Sequence, residues 1–351
     1  MGVKEFLVQM STVPHVSGYE SELAKVISGE FSKYAKVSVD AFGNLVAYKK
    51  GTRLSSGKAG PKIMFAAHMD EIGMIVSDIC DNGFVKFSRI GGIDAHNMLA
   101  QEVIIHGRQK VFGVIGIKPP HLTSSAEMKK IVELHDMSID TGFSKEKLED
   151  MIRVGDIITL NQDIGELQNG KLTGRALDNT AGVAVLYCAL KNLEHFSHCA
   201  DVYFVASAQE EIGLRGAITS TYNIKPDIGI AIDVGFGRAN GLAEHESIDL
   251  GKGPAIAIGP NINRQLFDDL KKAAIKNNTK YQVEVIPGRT GTDATAIQVG
   301  EGGVITGLLS IPLKYMHSTV ETIAIKDVES CGKLISDYIV ELQGREDELC
   351  Y

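Results

Sequence analysis

Read for the spacing of apolar and polar positions, the chain changes texture twice. In "VSGYESELAKVISGEF", Leu23, Val26, Ile27 and Phe31 recur every three or four residues, the period of a helix with one buried face. Ser17 and Glu20 stand ahead of them at capping-box spacing. "KVSVDAFGNLVAYKKG" holds two alternating runs around Asp40 to Asn44, with Gly43 at the turn, which predicts a hairpin. "PKIMFAAHMD" is almost continuously apolar and ends on polar residues, the pattern of a strand covered on both faces. From Gly73 onward, short strands punctuated by glycine take over: "GMIVSDI", "GFVKFSRIGG", "EVIIHG", "VFGVIGI" and "VGDIITL". Only "SKEKLEDMI", with Ser144 as its N-cap, reads as a helix there. Closely spaced β-runs with turn signals predict a small barrel or half-barrel inserted at about residues 72–163.

The rhythm then alternates between strand and helix. "ALDNTAGVAVLYCALKNL" predicts a helix, "ADVYFVASAQEE" and "DIGIAIDVGFG" strands, and "NRQLFDDLKKAAIKN" an amphipathic helix. "YQVEVIP" predicts a strand, "GTDATAIQVG" a turn into a helix, "GVITGLLSIP" a strand and "IKDVESCGKLISDYIVEL" a closing helix. The expected fold class is α/β: a mostly parallel central sheet flanked by helices, built from 1–71 and 164–351, interrupted by the β-barrel-like insert 72–163. Ligands of such sheets bind beyond the carboxyl ends of the strands.

Composition narrows the function classes. The 351 residues are 44% hydrophobic and 23% charged, as expected of a globular chain with a sizeable core. A formal net charge of -8, without a cluster of Lys and Arg, argues against nucleic acid as a partner. The N-terminus lacks the basic and apolar regions of a signal peptide, and no uncharged apolar run reaches membrane-spanning length. The five cysteines (Cys80, Cys188, Cys199, Cys331 and Cys350) are scattered without a CxxC pair, which fits reduced thiols and a cytoplasmic location.

Candidate chemistry collects at the strand ends. "AAHMDEIG" contributes His68 and Asp70, on the same face if the strand persists, and "SAQEEIG" contributes Glu210 and Glu211. Asp178 stands at a helix start, Asp233 ends "IAIDV", and His317 lies in "KYMHS". Each has a bland alternative: Asp178 as a helix cap, His68 as a core histidine, the glutamates as residues leaving a sheet, Asp233 as a turn-former. Their shared position beyond apolar strands favours one site, because histidines with carboxylates are the donors that Zn, Co or Mn accept. Two such ions bridged by a carboxylate sit about 3.5–4 Å apart and need about this many groups. Of the other histidines, His121 in "KPPHLTS" is the one whose loop is expected to reach the site.

Taken in order, "AHMDEIG", "GRALDNTAG", "SAQEEIGLRGA", "AIDV", "GRTGTDA" and "MHS" resemble the dinuclear-metal aminopeptidases of the tetrahedral (TET) type, the forty-second metallopeptidase family, over essentially the whole chain. The resemblance implies that His68 and Asp233 hold one divalent metal, Glu211 and His317 a second, and Asp178 bridges them. It implies Glu210 as general base and Asp70 as the group orienting His68. It further implies Zn or Co, with Mn as a third candidate, short peptides as substrates, and a small β-domain that makes dimer contacts within a dimer or a tetrahedral dodecamer. The glycine-rich segments 233–241 and 288–294 are expected to line the pocket for the first side chain; Arg238 or Arg289 there would favour an acidic residue, but each reads equally well as a surface or interface arginine, and the resemblance leaves a neutral aliphatic preference open. The rivals are an endo-β-glucanase or other glycosidase, a metal-dependent carboxypeptidase or deacylase, and a non-catalytic metal-binding scaffold. Alternation along the strand argues against the glycosidase, since it directs Glu210 and Glu211 to opposite faces, and so does the absence of tryptophan.

Overall fold

The computed structural model describes residues 1–52, 60–122 and 132–342. Helices α1 (Val3–Ser11) and α2 (Ser21–Phe31) precede the hairpin β1 (Lys36–Val39) and β2 (Leu45–Lys49), and then strand β3 (Lys62–His68). The next strands are β4 (Gly73–Ile79), β5 (Val85–Ile90), β6 (Glu102–His106), β7 (Lys110–Gly116) and β8 (Ser138–Asp140), followed by α3 (Lys145–Met151) and β9 (Ile157–Leu160). These six strands close into a barrel in the order β4-β5-β8-β7-β6-β9. Alternation works cleanly in β7, where Val111 and Ile115 point inward while Phe112 and Val114 stay exposed. The barrel has a core of its own, including Met74, Val85, Val103, Ile139 and Ile158.

Two short strands, β10 (Gly165–Leu167) and β11 (Lys171–Gly174), lead into α4 (Leu177–Asn192), β12 (Asp201–Ser207), α5 (Arg215–Ile224), β13 (Ile228–Phe236) and β14 (Ala255–Ile258). The chain continues through α6 (Arg264–Lys276), β15 (Gln282–Val285), α7 (Asp293–Gln298), β16 (Ile305–Leu313), β17 (Glu321–Ala324) and α8 (Ile325–Glu341). The main sheet has eight strands in the order β1-β2-β12-β3-β13-β16-β14-β15, and β10, β11 and β17 form a second, three-stranded sheet. Its central strands β12, β3, β13 and β16 are parallel, as are β14 and β15; β14 runs antiparallel to β16, and the β1–β2 hairpin joins antiparallel to β12. The central parallel strands are buried almost throughout, which explains their continuous apolar runs.

Helix α4 is buried along nearly its whole length and packs against α1 and α8. Its approach to α8 depends on Gly332, where a Cβ would fall 2.3 Å from the Cβ of Cys188. Among the described cysteines, Cys80, Cys188 and Cys331 are free thiols; Cys350 lies outside the described residues.

Two local expectations change. Ser17 and Glu20 do not form a capping box on α2, which begins at Ser21 without a side-chain cap. The Ser17 hydroxyl donates instead to Asp70, and the Glu20 carboxylate accepts from Gly18 and Gln209. Strand β12 ends at Ser207, so Glu210 and Glu211 stand in a turn beyond it, entered through Gln209 at a φ of 56°. Alternation therefore does not separate them: both face the same cleft, and the argument it supplied against a glycosidase falls.

Candidate active site

Parallel pairing sets Ser207 beside His68 at the ends of β12 and β3, and Met69 extends the ladder by donating to the Ser207 carbonyl at 2.9 Å. Asp70 follows, fully buried. Its Oδ1 accepts from the Glu210 amide at 2.9 Å, while Oδ2 accepts from the Glu211 amide at 3.2 Å and from Ser17. The His68 Nδ1 faces the Asp70 carbonyl oxygen at 3.0 Å, which turns Nε2 toward the cleft. One buried carboxylate thus anchors the turn carrying both glutamates, and its own backbone sets the ring of His68.

Asp178 is not a simple helix cap. At the start of α4 its backbone is non-helical (φ -85°, ψ 101°), and the peptide bond to Asn179 is cis. Its Oδ1 lies 3.1 Å from His68 Nε2 and its Oδ2 lies 3.4 Å from His317 Nε2. Asp233 Oδ1 stands 3.7 Å from His68 Nε2, and Glu211 Oε1 stands 3.3 Å from His317 Nε2. The structure therefore brings together two triads sharing one residue, His68–Asp178–Asp233 and Asp178–Glu211–His317, each with donor atoms within 4.8 Å of one another. His68, Glu210 and Glu211 form a third such group.

His317 sits in the turn after β16 at a φ of 59°, and its Nδ1 lies 3.1 Å from the carbonyl oxygen of Gly92, which belongs to the loop after barrel strand β5. A Cβ at Gly92 would lie 2.7 Å from that ring nitrogen, so only glycine lets the barrel loop approach this closely.

Glu321, not singled out in the sequence, joins the two metal-type triads from behind. It is buried, and its carboxylate accepts from the Asp178 amide at 3.0 Å and from the His317 amide at 2.9 Å. Asp293 was equally unmarked, because an aspartate in the first turn of a helix reads as a dipole or capping residue. It is buried, accepts from the Ser207 hydroxyl at 2.6 Å through Oδ2, and leaves Oδ1 without a partner. Beside the site, the buried Arg175 forms an ion pair with Glu71 and donates to the Ser11 carbonyl at 2.8 Å, with His15 Nδ1 3.5 Å from Glu71. His121 is exposed on a short turn and does not line the cleft.

The electrostatics show an excess of negative charge. Burial and the neighbouring Asp233, Asp293 and Glu211, against the attraction of His68, push Glu210 up to about 10. Burial raises Asp233 and Glu211 as well, against the pull of the histidines, and it takes Asp293 to about 7. His317 rises to about 11 through its hydrogen bonds to Asp178 and Glu211, while His68 is raised because Glu210 and its carboxylate hydrogen bonds outweigh burial. Asp178 alone among the donors is pulled well below the usual range, because the two histidines outweigh its burial. Carboxylates that resist ionising and histidines that hold protons mark a place built for more positive charge than the side chains supply. Divalent cations fit that deficit and this donor set.

These groups stand at one end of a cleft of about 680 Å³, whose walls include Phe236, Ile248, Glu284, Leu308 and Ser310. Of the segments expected at the pocket, Asp233 to Phe236 and Arg289 to Thr292 line it. Arg238 does not line it, and is paired with Glu244 and Asp249.

Residues 43–334 match the family model described as M42 glutamyl aminopeptidase. A lysyl aminopeptidase of Pyrococcus furiosus is 35% identical over 97% of this chain and 97% of its own. Among solved structures, an aminopeptidase from the archaeon Desulfurococcus kamchatkensis superposes with a TM-score of 0.89 at 38% identity, covering 97% of this chain and 94% of that one. The TET1 peptidase of Pyrococcus horikoshii, described as assembling into a tetrahedron or a large octahedral shell, superposes with a TM-score of 0.84 at 33% identity, covering 97% and 100%.

Proposed function

The chain belongs to the M42 glutamyl aminopeptidase family and is an aminopeptidase, and from that premise we propose a division of labour among the residues of the cleft. His68 and Asp233 hold one divalent metal, Glu211 and His317 a second, and Asp178 is shared between them. Zn or Co are the expected ions, with Mn the third candidate. The observation that carries this reading is Asp178, whose two oxygens face two different histidines. The metals, when bound, polarise the scissile carbonyl and lower the pKa of water.

The chain's own residues do the rest. Glu210 is the general base: among the described residues none donates a hydrogen bond to its carboxylate, and bound cations would offset the negative charge that holds it protonated, leaving it able to take a proton from water and return it to the leaving amine. Glu211 is held at His317, and adjacent residues thereby take different tasks. Asp70 keeps both in place through their amides and orients His68. The acidic surroundings favour a substrate carrying a free α-ammonium group, which orients the N-terminal residue and disfavours internal peptide bonds. This argues against a glycosidase, which needs a carboxylate pair but no histidines around it.

The division into 1–71 with 164–351 and an inserted 72–163 is part of the same proposal. The exposed Phe112 and Val114 on the barrel support its role in contacts between copies, and the assemblies described for the Pyrococcus horikoshii relative support a dimer or dodecamer. No helix among the described residues is long and apolar enough to cross a membrane. With Cys80, Cys188 and Cys331 as free thiols, a cytoplasmic location is proposed.

The test combines metal analysis of the purified protein with hydrolysis of short peptides before and after chelation, and with an N-acetylated copy of each peptide. Metal-dependent cleavage of the free peptides alone is expected. Preferential cleavage of the acetylated peptides would replace the aminopeptidase assignment with a deacylase one.

A further inference from the structure

Relatives of this chain carry names that specify opposite charges, lysyl and glutamyl, so the family alone does not say which N-terminal residue is taken. The cleft beside the proposed metal residues is more informative. Parallel pairing places Ser310 of β16 directly beside Asp233 of β13, one strand spacing or about 4.8 Å away. The Ser310 hydroxyl donates to Glu284 Oε2 at 2.5 Å, reaching the carboxylate that β15 contributes at the sheet edge. The other oxygen, Oε1, converges with the Ile248 Cδ1 methyl and Ser310 Cβ on Gly235; a Cβ there would lie 3.2, 3.0 and 3.0 Å from them respectively. Glycine at 235 thus lets the carboxylate, Ile248 and Ser310 pack closely over the strand, two residues from Asp233.

Among the described residues Glu284 has no ion-pair partner. Its carboxyl is pushed up by burial and by Asp233, against the Ser310 bond. One positive side chain near this wall is already committed. Arg238 is neutralised by Glu244 and Asp249, whereas Arg289 lines the same cleft and also borders Glu210, Glu211 and Leu214. Glu244 and Glu246 add further negative charge to the walls, while Ile248, Leu308 and Phe236 offer apolar surface between them.

We propose that Glu284, held by Ser310, is the specificity-determining residue of the pocket for the N-terminal side chain, and that this aminopeptidase prefers N-terminal lysine or arginine. An aliphatic stem packs on Ile248 and Leu308 while the cationic head reaches Glu284, the division that long basic side chains make naturally. An N-terminal glutamate would set a second carboxylate against Glu284 and Asp233. A leucine would leave the Glu284 charge partly desolvated and unpaired. The inference rests on the aminopeptidase assignment and on the metal residues proposed above, since it locates the first side chain relative to Asp233.

The decisive comparison uses the metal-loaded enzyme with lysyl, arginyl, norleucyl, leucyl and glutamyl anilides. Norleucine matches the lysine stem without its charge. The kcat/KM for lysyl over norleucyl substrate should exceed unity by about ten- to hundredfold, the range for a hydrogen bond to a charged group. Glu284→Gln should bring that ratio close to one, with metal content and melting temperature measured on the same sample as the control for folding. Ser310→Ala should lower the ratio partway. A wild-type ratio at or below one, or a ratio that survives Glu284→Gln, overturns the proposal while leaving the peptidase reading intact. Absence of turnover on every anilide would overturn both.

Discussion

Replacing Glu210 by glutamine separates the base from the ligands. The substitution is isosteric and keeps the backbone amide that donates to Asp70 at 2.9 Å, so the turn carrying Glu211 should hold its position. What disappears is the ability to accept a proton. General-base catalysis contributes about 10²- to 10⁴-fold, so kcat should fall by that factor, about 3–5 kcal/mol of transition-state stabilisation. KM should change little, because Glu210 is not assigned to substrate binding. The stability effect has the opposite sign. Glu210 is pushed up to about 10 by burial and by repulsion from Asp233, Asp293 and Glu211, so folding of the metal-free protein at neutral pH requires it to take up a proton, at a cost in stability. The neutral amide relieves that repulsion, and the metal-free variant should melt at or above the wild-type temperature. The assay is steady-state hydrolysis of an aminoacyl anilide with metal content measured on the same sample. If Glu210→Gln lost a metal equivalent, Glu210 would be a ligand, as its place in the third donor group with His68 and Glu211 allows. If it kept both metals and lost less than tenfold in kcat, another residue would be the base.

Other outcomes follow from the same geometry. Asp178→Asn should cost at least one metal equivalent by elemental analysis after gel filtration, because a single neutral oxygen cannot be shared between the two sites that His68 and His317 mark. Arg175→Met should destabilise the fold by about 3–5 kcal/mol in denaturant titrations, because Glu71 and its charge stay buried without the guanidinium. An unchanged midpoint would show that Glu71 finds another partner. His106 on the barrel is lowered to about 4 by burial, with Lys110 and Arg175 adding to the effect and Glu71 opposing it. The unfolded chain therefore takes up a proton near pH 6.5 that the folded one refuses, and stability should fall as pH drops from 6.5 toward 4. With screening by the partial exposure of the ring, the loss is about 1–2 kcal/mol. His106→Gln should flatten this limb of the melting curve, and an identical pH profile in the variant would remove His106 as its cause.

Most of the framework was legible in the residues because burial imposes a pattern that does not depend on partners. The continuous apolar runs of β3 and β13 announced strands covered on both faces, and glycine-punctuated alternation announced the barrel, since a period of two or of 3.6 follows from backbone geometry alone. His68, Asp178, Glu211, Asp233 and His317 were legible for a related reason: polar residues at the carboxyl ends of buried apolar strands, or in the adjoining turns, are out of place in a core and ask for a partner. Where the local signal competed with a distant one, the distant one prevailed. Ser17 and Glu20 have the spacing of a capping box, yet Asp70 and the amide of Gln209 offer them buried partners, and the helix begins without them. Glu210 and Glu211 carry no mark of where β12 stops; the left-handed Gln209 and the grip of Asp70 on both amides decide that the two carboxylates share a cleft. Glu321, Asp293 and Glu284 were invisible because their meaning lies in what they touch across the fold: two amides, a serine hydroxyl, a glycine on another strand. By itself, the amino-acid order determined which segments would be strand or helix and which donor types would gather at the sheet's edge. Only the tertiary structure decided how the two oxygens of Asp178 are divided and which carboxylate waits unpaired in the pocket, because hydrogen-bond partners far apart in the chain are chosen by packing and not by local pattern.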